Sequence, residues 1–334
     1  MLLKLKDIYN AIVAEGIKND PRGEKGANNF LEKVKKEYKV LSFANKKAFD
    51  TEKLTNPYSD SRILFGNPSK DIKTILVGID METPEILLAD VLNKRGRKID
   101  LILSHHPEGF ALSALYDVMN IQLDILENVG VARKRVKKMM EERIGEVARK
   151  LHPGNVMRPV DAAALLGIPV MCAHTVADNC VSAYLDNIIN KKKPESVQDV
   201  IDILSTKPEY QYSTNIGTGP CITLGKPSNK CGKVIFEMTG GTGGSKKIFP
   251  ELVKAGVKTI IAMHMSEEHF KKAKKHSLNI IIAGHIASDS LGVNLLLDAI
   301  DPKKRLQIIP CSGFIRVDRR FSAKAAVRGR GKRQ

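Results

Sequence analysis

Three apolar runs in this sequence end in histidine. Ile99–Leu103 runs into Ser104-His105-His106-Pro107, Ile168–Ala173 into His174-Thr175-Val176-Ala177-Asp178, and Asn279–Gly284 into His285-Ile286-Ala287-Ser288-Asp289. The last two share the pattern His-x-x-x-Asp. Residues i and i+4 share one face of a helical turn, so each pair offers a nitrogen and an oxygen to one point. His105 and His106 are neighbours, and Pro107 keeps His106 near extended geometry. Neighbouring side chains in extended backbone diverge. This pair therefore suits two ions side by side better than chelation of one. Imidazole with carboxylate suits Zn, Mn, Fe, Ni or Co more than Ca or Mg. Two such ions about 3.5–4 Å apart clamp and activate a water. A His-His pair alone, or one His-x-x-x-Asp alone, is usually an accident of surface or core. The joint pattern, in a chain with only 8 histidines, is more specific.

The elements that would position these residues alternate in type. Ile72–Ile79 is apolar and β-branched, as expected of a buried strand. Thr83-Pro84-Glu85 opens a helix, with Thr83 as N-cap and Pro84 at the first helical position. Ile99–Leu103 is the next strand, and the alternation predicts a parallel α/β layer. Residues 115–151 read as helical with a long charged face. A short helix, Asp161–Leu166, precedes strand Ile168–Ala173, and 184–204 reads as helix interrupted at Lys191-Lys192-Lys193-Pro194. Residues 207–232 read as a connection or edge hairpin. Lys233–Met238, Lys258–Met263 and Asn279–Ala283 read as strands alternating with helices at 246–255, at 266–276 and after Ser290. Residues 1–70 read as helical and loop-rich, with a helix at 28–37 and a strand at Val40–Ala44. In such sheets sites collect at the carboxyl ends of strands, so residues distant in sequence are expected to converge there. The expected organisation is an N-terminal α/β lobe over 1–205, a C-terminal α/β lobe over 206–320, and a basic flexible tail at 321–334.

Composition narrows the function classes. Hydrophobic residues are 43% and charged residues 27% of the 334, enough for a sizeable core. No apolar run approaches the roughly 20 residues of a spanning helix. The start, Met-Leu-Leu-Lys-Leu-Lys-Asp, is not a signal h-region, and the reading is a cytoplasmic protein. Five irregularly spaced cysteines argue against a disulfide framework or a zinc finger. The net charge is +17. Residues 131–150 hold 8 basic and 3 acidic side chains, and 324–334 is basic with no acid. Such an excess raises nucleic acid as a partner, but aromatics are only 5% and Trp is absent, so stacking platforms are sparse.

Between a strand and a helix lies Thr239-Gly240-Gly241-Thr242-Gly243-Gly244-Ser245. Lys246 follows Ser245, so this is neither a Walker loop nor GxGxxG. It is a tight structural turn or a place where backbone approaches a substrate anion. Asp80 and Thr83, beside the strand that neighbours SHHP, are candidates to orient an imidazole.

Five segments, VGIDMETPEILLADVLN, IDLILSHHPEGF, CAHTVAD, TGGTGGS and NIIIAGHIASDSLGV, resemble the Nif3-like family, the dinuclear metal centre hexameric proteins. Some members are described as type-two-like GTP cyclohydrolases. The resemblance runs from about residue 72 to 310. It implies two α/β lobes with the metal site between them at strand ends, and two divalent ions held by His105, His106, Asp178, His285 and Asp289. It also implies a toroidal hexamer. Asp289 stands where the family usually has the longer Glu. His174 matches the histidine before Asp178 and is expected to line the site. With Thr242, Gly243 and Ser245 it forms the expected substrate-binding set. His264 stands where relatives often carry an acid, and is a candidate ligand or proton carrier. Glu267 nearby is the candidate general base. The 69 positions from His105 to His174 are long for the family, and the first 70 residues match it poorly. The expected function is a metal-dependent hydrolase of a phosphorylated or nucleotide-like substrate. The alternative is a metal-holding scaffold or regulator that binds protein or RNA.

Overall fold

The computed structural model describes residues 2–320; the basic tail at 321–334 lies outside the described residues. The strands are β1 (Leu3–Lys4), β2 (Ile63–Phe65), β3 (Asp71–Ile72), β4 (Thr74–Gly78), β5 (Leu101–Ser104), β6 (Val170–Cys172), β7 (Cys221–Leu224), β8 (Lys233–Glu237), β9 (Val257–Ala262), β10 (Asn279–Ile282) and β11 (Gln307–Pro310). The helices are α1 (Leu5–Lys18), α2 (Gly23–Lys39), α3 (Phe43–Ala48), α4 (Thr83–Lys94), α5 (Gly109–Ser113), α6 (Leu115–Val118), α7 (Ile121–Val129), α8 (Arg133–Leu151), α9 (Arg158–Leu166), α10 (Thr175–Lys192), α11 (Val197–Ser205), α12 (Pro208–Asn215), α13 (Phe249–Lys254), α14 (Glu267–Lys275) and α15 (His285–Ile300).

These form an α/β fold with two larger sheets. The first has the order β11-β4-β5-β6-β2 and the second β7-β10-β9-β8. β4, β5, β6 and β11 run parallel, as do β8, β9 and β10, while β2 and β7 are antiparallel edges. The pleat sends alternate side chains to opposite faces. In the first sheet Ile75, Val77, Leu101, Leu103 and Met171 face α1, α10 and α15. Leu76, Ile102 and Val170 face α4 and α9. In the second sheet Ile261 and Ile281 face α10, α11 and α15. Ile260 and Ile280 face α8, α13 and α14. The order of layers is therefore helix, sheet, helix, sheet, helix.

α10 and α15 form the middle layer. Val176, Ala177 and Cys180 pack on the first sheet, and Val181, Leu185 and Ile189 of the same helix pack on the second. The first half of α10 and most of α15 are buried on all sides, whereas the C-terminal half of α10 turns polar and reaches solvent. The two helices touch closely at Gly292, where a Cβ would stand 2.5 Å from the Ala177 carbonyl oxygen. The basic helix α8 is amphipathic: Val136, Met140 and Val147 are buried on the second sheet, and most of its charges face outward.

Several local expectations change. Val40–Ala44 is not a strand; α2 ends at Lys39 and α3 begins at Phe43. Val40 and Phe43 are 85% and 87% exposed, with no sheet beside them to reward an extended chain. The N-cap of α4 is Glu82, whose N–H donates to the Glu85 carboxylate at 3.0 Å, and Thr83 is already helical. The helical stretch 115–151 is three helices, and Gly130 at φ 106° turns the chain between α7 and α8. Residues 207–232 contain α12 as well as the edge strand β7. The helix after the glycine loop starts only at Phe249, and α15 starts at His285 rather than after Ser290. β11 returns to the first sheet, so chain beyond residue 205 feeds both sheets.

Candidate metal centre

The carboxyl ends of the inner strands open onto the start of the middle layer. His105 and His106 follow β5. Their backbone N–H groups donate to Gly78 and Ile79 carbonyls at 2.9 Å, which continues the ladder to β4 and fixes the pair beyond the strand. His174 leads into α10 and His285 opens α15, so Asp178 and Asp289 lie in or just after the first turns of the two buried helices. Gly284 makes the second turn possible. Its φ is 104°, a conformation that favours glycine, and a Cβ there would stand 2.9 Å from the Thr218 carbonyl oxygen.

The five expected ligand side chains meet. His105 Nε2 stands 3.5 Å from Asp178 Oδ1 and 3.4 Å from Asp289 Oδ1. His106 Nε2 stands 3.4 Å from Asp289 Oδ2, and His285 Nε2 stands 3.5 Å from the same oxygen. Two triads result, His105-Asp178-Asp289 and His106-His285-Asp289, with Asp289 shared through one oxygen each. A third grouping, His105-His106-His174, overlaps them.

The far side of each ring is anchored where partners are found. His105 Nδ1 contacts the Ala173 carbonyl at 3.1 Å. A carbonyl only accepts, so Nδ1 carries the proton and Nε2 presents its lone pair to the cluster. His106 Nδ1 lies 2.6 Å from Asp80. His174 Nδ1 lies 2.8 Å from Asp60, which also accepts from Thr175 Oγ1 at 2.6 Å. Carboxylates and carbonyls in this position commonly orient ligating imidazoles.

Among the described residues, four buried side-chain polar atoms have no hydrogen-bond partner: His105 Nε2, Asp178 Oδ1, Asp289 Oδ1 and Asp289 Oδ2. All four belong to this cluster. An unpaired buried polar atom costs about 1–3 kcal/mol, more when charged, so four at one point call for a cationic partner. The spacing fits one. Ligands about 2.0–2.1 Å from a tetrahedral ion lie roughly 3.3 Å from each other, close to the 3.4–3.5 Å found here.

Without a cation the charges distort one another. Burial works against a charged His106, but Asp289 and Asp80 outweigh it and carry its pKa up to about 10. Burial lifts Asp178 to about 6 against the pull of His174 and His105. Burial also raises Asp289, yet His105, His106 and His285 together hold it well below the carboxylate range. His285 is pushed down to about 4 by burial, although Asp289 opposes this.

A small cleft of about 50 Å³ opens beside the cluster, walled in part by Glu237, Thr242, Gly243, Met263 and His264. His174 lines it too. The His264 ring meets the His285 ring edge-on, with centroids 4.8 Å apart. Glu267 is not brought there: it is exposed in the first turn of α14 and pairs with Lys271 at 3.5 Å. Ser245 is buried and faces a larger cavity behind the loop, away from the cluster. The glycine loop is braced from behind. Gln122 Nε2 donates to the Gly240 and Thr242 carbonyls at 2.8 and 2.7 Å, and Arg143 Nε donates to the Gly243 carbonyl at 3.0 Å. The basic helix α8 thus reaches the site through Arg143.

Sequence reasoning missed Asp60 and Glu237. Asp60 lies in the N-terminal segment, in an irregular stretch without periodicity to mark it. Glu237 ends β8 just before the glycine loop, where the strand-end rule would have found it.

No protein-family model matches this sequence, and no curated protein does. Solved structures do. A NIF3 superfamily protein from Sphaerobacter thermophilus is similar at 24% identity, over 77% of this chain and 92% of that one, with a TM-score of 0.66. Reduced HcgD from Methanocaldococcus jannaschii matches at 15% identity, over 75% of this chain and 88% of that one, with a TM-score of 0.44. The first likeness shows that this chain has the fold of a NIF3 superfamily protein.

Proposed function

We infer that this chain is a Nif3-like protein that holds two divalent metal ions and uses them to hydrolyse a phosphorylated or nucleotide-like substrate. One observation carries the reading: the four partnerless buried atoms lie in this one cluster, His105 Nε2 against Asp178 Oδ1 and Asp289 Oδ1, and Asp289 Oδ2 against His106 and His285, at the separations ligands adopt around a cation. His105, Asp178 and one oxygen of Asp289 would hold one ion. His106, His285 and the other oxygen of Asp289 would hold the second. Zn, Mn, Fe, Ni and Co suit this donor set. When bound, such ions supply Lewis acidity, which makes water acidic enough to attack near neutral pH.

The rest falls to the chain itself. Asp80 and Asp60 hold the imidazoles of His106 and His174 in place. Thr242 and Gly243 border the cleft, where hydroxyl and backbone amide can orient a substrate oxygen. His264, exposed beside His285, is placed to pass a proton to or from solvent. Arg143 keeps the loop against the cleft.

Loading the protein with Mn, Zn, Fe or Co and screening nucleotides and phosphoesters tests this. Turnover is expected in the loaded protein and is lost in His106→Ala and in Asp289→Ala. Turnover that survives in both variants refutes the assignment.

The small size of the cleft favours a second reading, a metal-holding scaffold without turnover. It predicts stoichiometric metal and no hydrolysis of any compound in the screen. Either reading extends to a homo-oligomer, a hexamer. Exposed Leu87, Leu88 and Val91 on α4 offer it an apolar contact face, and native mass measurement decides it.

A further inference from the structure

The cleft at the metal cluster admits only a small group, so the bulk of any substrate must lie elsewhere. His285 borders a second and roomier cavity of about 490 Å³. The first turn of α15 forms one wall, the end of α12 and the following turn a second, and residues 313–315 a third. Its apolar surfaces are Tyr212, Ile216, Ile286 and Phe314, of which the first three are exposed large side chains.

The cavity is built from fixed parts. Gly313 has φ 79°, and a Cβ there would meet Ile286 Cγ2 at 3.0 Å, so the floor is closed against the wall. Ser213 Oγ donates to the Thr218 carbonyl at 2.5 Å, and the Thr218 N–H donates to the Ser213 carbonyl at 2.9 Å, which pins the turn after α12. The one charged side chain along the lining is Glu209. It is fully buried and already accepts from Arg319 at 2.8 Å and Asn294 at 2.9 Å. No charge is left over for a charged ligand. Apolar and aromatic walls with a few hydroxyls around them suit a flat, uncharged ring that makes few hydrogen bonds.

We propose that this cavity is the specificity pocket of the site: it takes an uncharged aromatic or heteroaromatic ring of the substrate, while the reacting group sits across His285 at the metal cluster. The inference rests on the metal-site reading for the reacting group but not for the ring. Substrates would then be esters of aryl or nucleobase-bearing alcohols. Phosphoesters of small aliphatic alcohols would be poor ones.

The test separates the two claims. 2-Naphthol, a neutral ring, is titrated into metal-free and Mn-loaded protein by calorimetry, with 1-naphthyl phosphate and glycerol phosphate in parallel. Binding of 2-naphthol is expected in both forms. Tyr212→Ala and Ile216→Asp, both at exposed positions that the fold does not need, are each expected to weaken it about tenfold, the loss of one good ring contact. Failure of 2-naphthol to bind, or equal affinity in the variants, overturns the pocket. So does a fall in native mass for Ile216→Asp without ring binding, since the patch would then be a contact between copies. If 2-naphthol binds as expected but Mn adds nothing to 1-naphthyl phosphate, the pocket stands and the hydrolase reading falls. If both naphthyl compounds bind and glycerol phosphate binds as tightly as 1-naphthyl phosphate, ring selectivity is absent and the proposal is wrong.

Discussion

Two turns in this molecule share one sequence pattern and differ in what surrounds them. His174–Asp178 and His285–Asp289 each follow a parallel strand and open a helix of the middle layer. The first is sealed: His174 is buried, and Asp60 from the N-terminal segment grips its ring. The second faces outward: His285 is half-exposed, and beyond the cluster its ring meets that of His264 edge-on. The carboxylates reverse this order of importance. Asp178 serves the buried triad, whereas Asp289 touches both. Equal spacing therefore gives unequal roles, because the neighbouring strand end decides which atoms a turn can reach.

The sharpest break in that comparison is Asp289→Ala. It removes the shared carboxylate, and bound metal is expected to fall from two equivalents to none by elemental analysis. Next come Asp178→Ala and His285→Ala, each expected to keep one ion and lose the other. Spectra of Co-loaded protein should differ between them, because the surviving ion keeps one imidazole in one case and two in the other. If both variants lose everything, the two triads are not separable. A smaller effect is expected from the anchors. Asp80→Ala should weaken the exposed ion about 10–100-fold, the usual range for a carboxylate behind a ligating histidine, and Asp60→Asn should change neither ion by as much. Chelator competition measures both.

The pH dependence is graded as well. His106, raised to about 10, must give up a proton when metal binds, so affinity is expected to rise about tenfold per pH unit from near pH 6 upward. Below about 6 Asp178 takes up a proton as well, and the ion held with His105 weakens too. His285, held near 4, adds nothing in this range. A pH-independent affinity between 6 and 9 would contradict the assigned ligands.

What the sequence revealed follows the same division. Strands β4, β5, β9 and β10 were legible because they are short, apolar and β-branched between breakers. The histidines were legible because each closes such a run. α15 was misread at its start because a helix buried on all sides has no polar stripe, and Gly284, Ser288 and Ser290 look like loop. Asp60 was invisible for another reason. Its role depends on the N-terminal segment packing against α10, a contact between residues more than 100 positions apart. Glu267 was chosen for its nearness in sequence to His264, but the first turn of α14 points it to solvent.

In the proposed centre Asp289 would join two cation sites. Anomalous difference maps from crystals of Mn-loaded protein test this most directly. Two peaks are predicted, one touching His105, Asp178 and Asp289, the other touching His106, His285 and Asp289. A single peak that leaves Asp289 uncoordinated, or no peak within reach of these side chains, would contradict it.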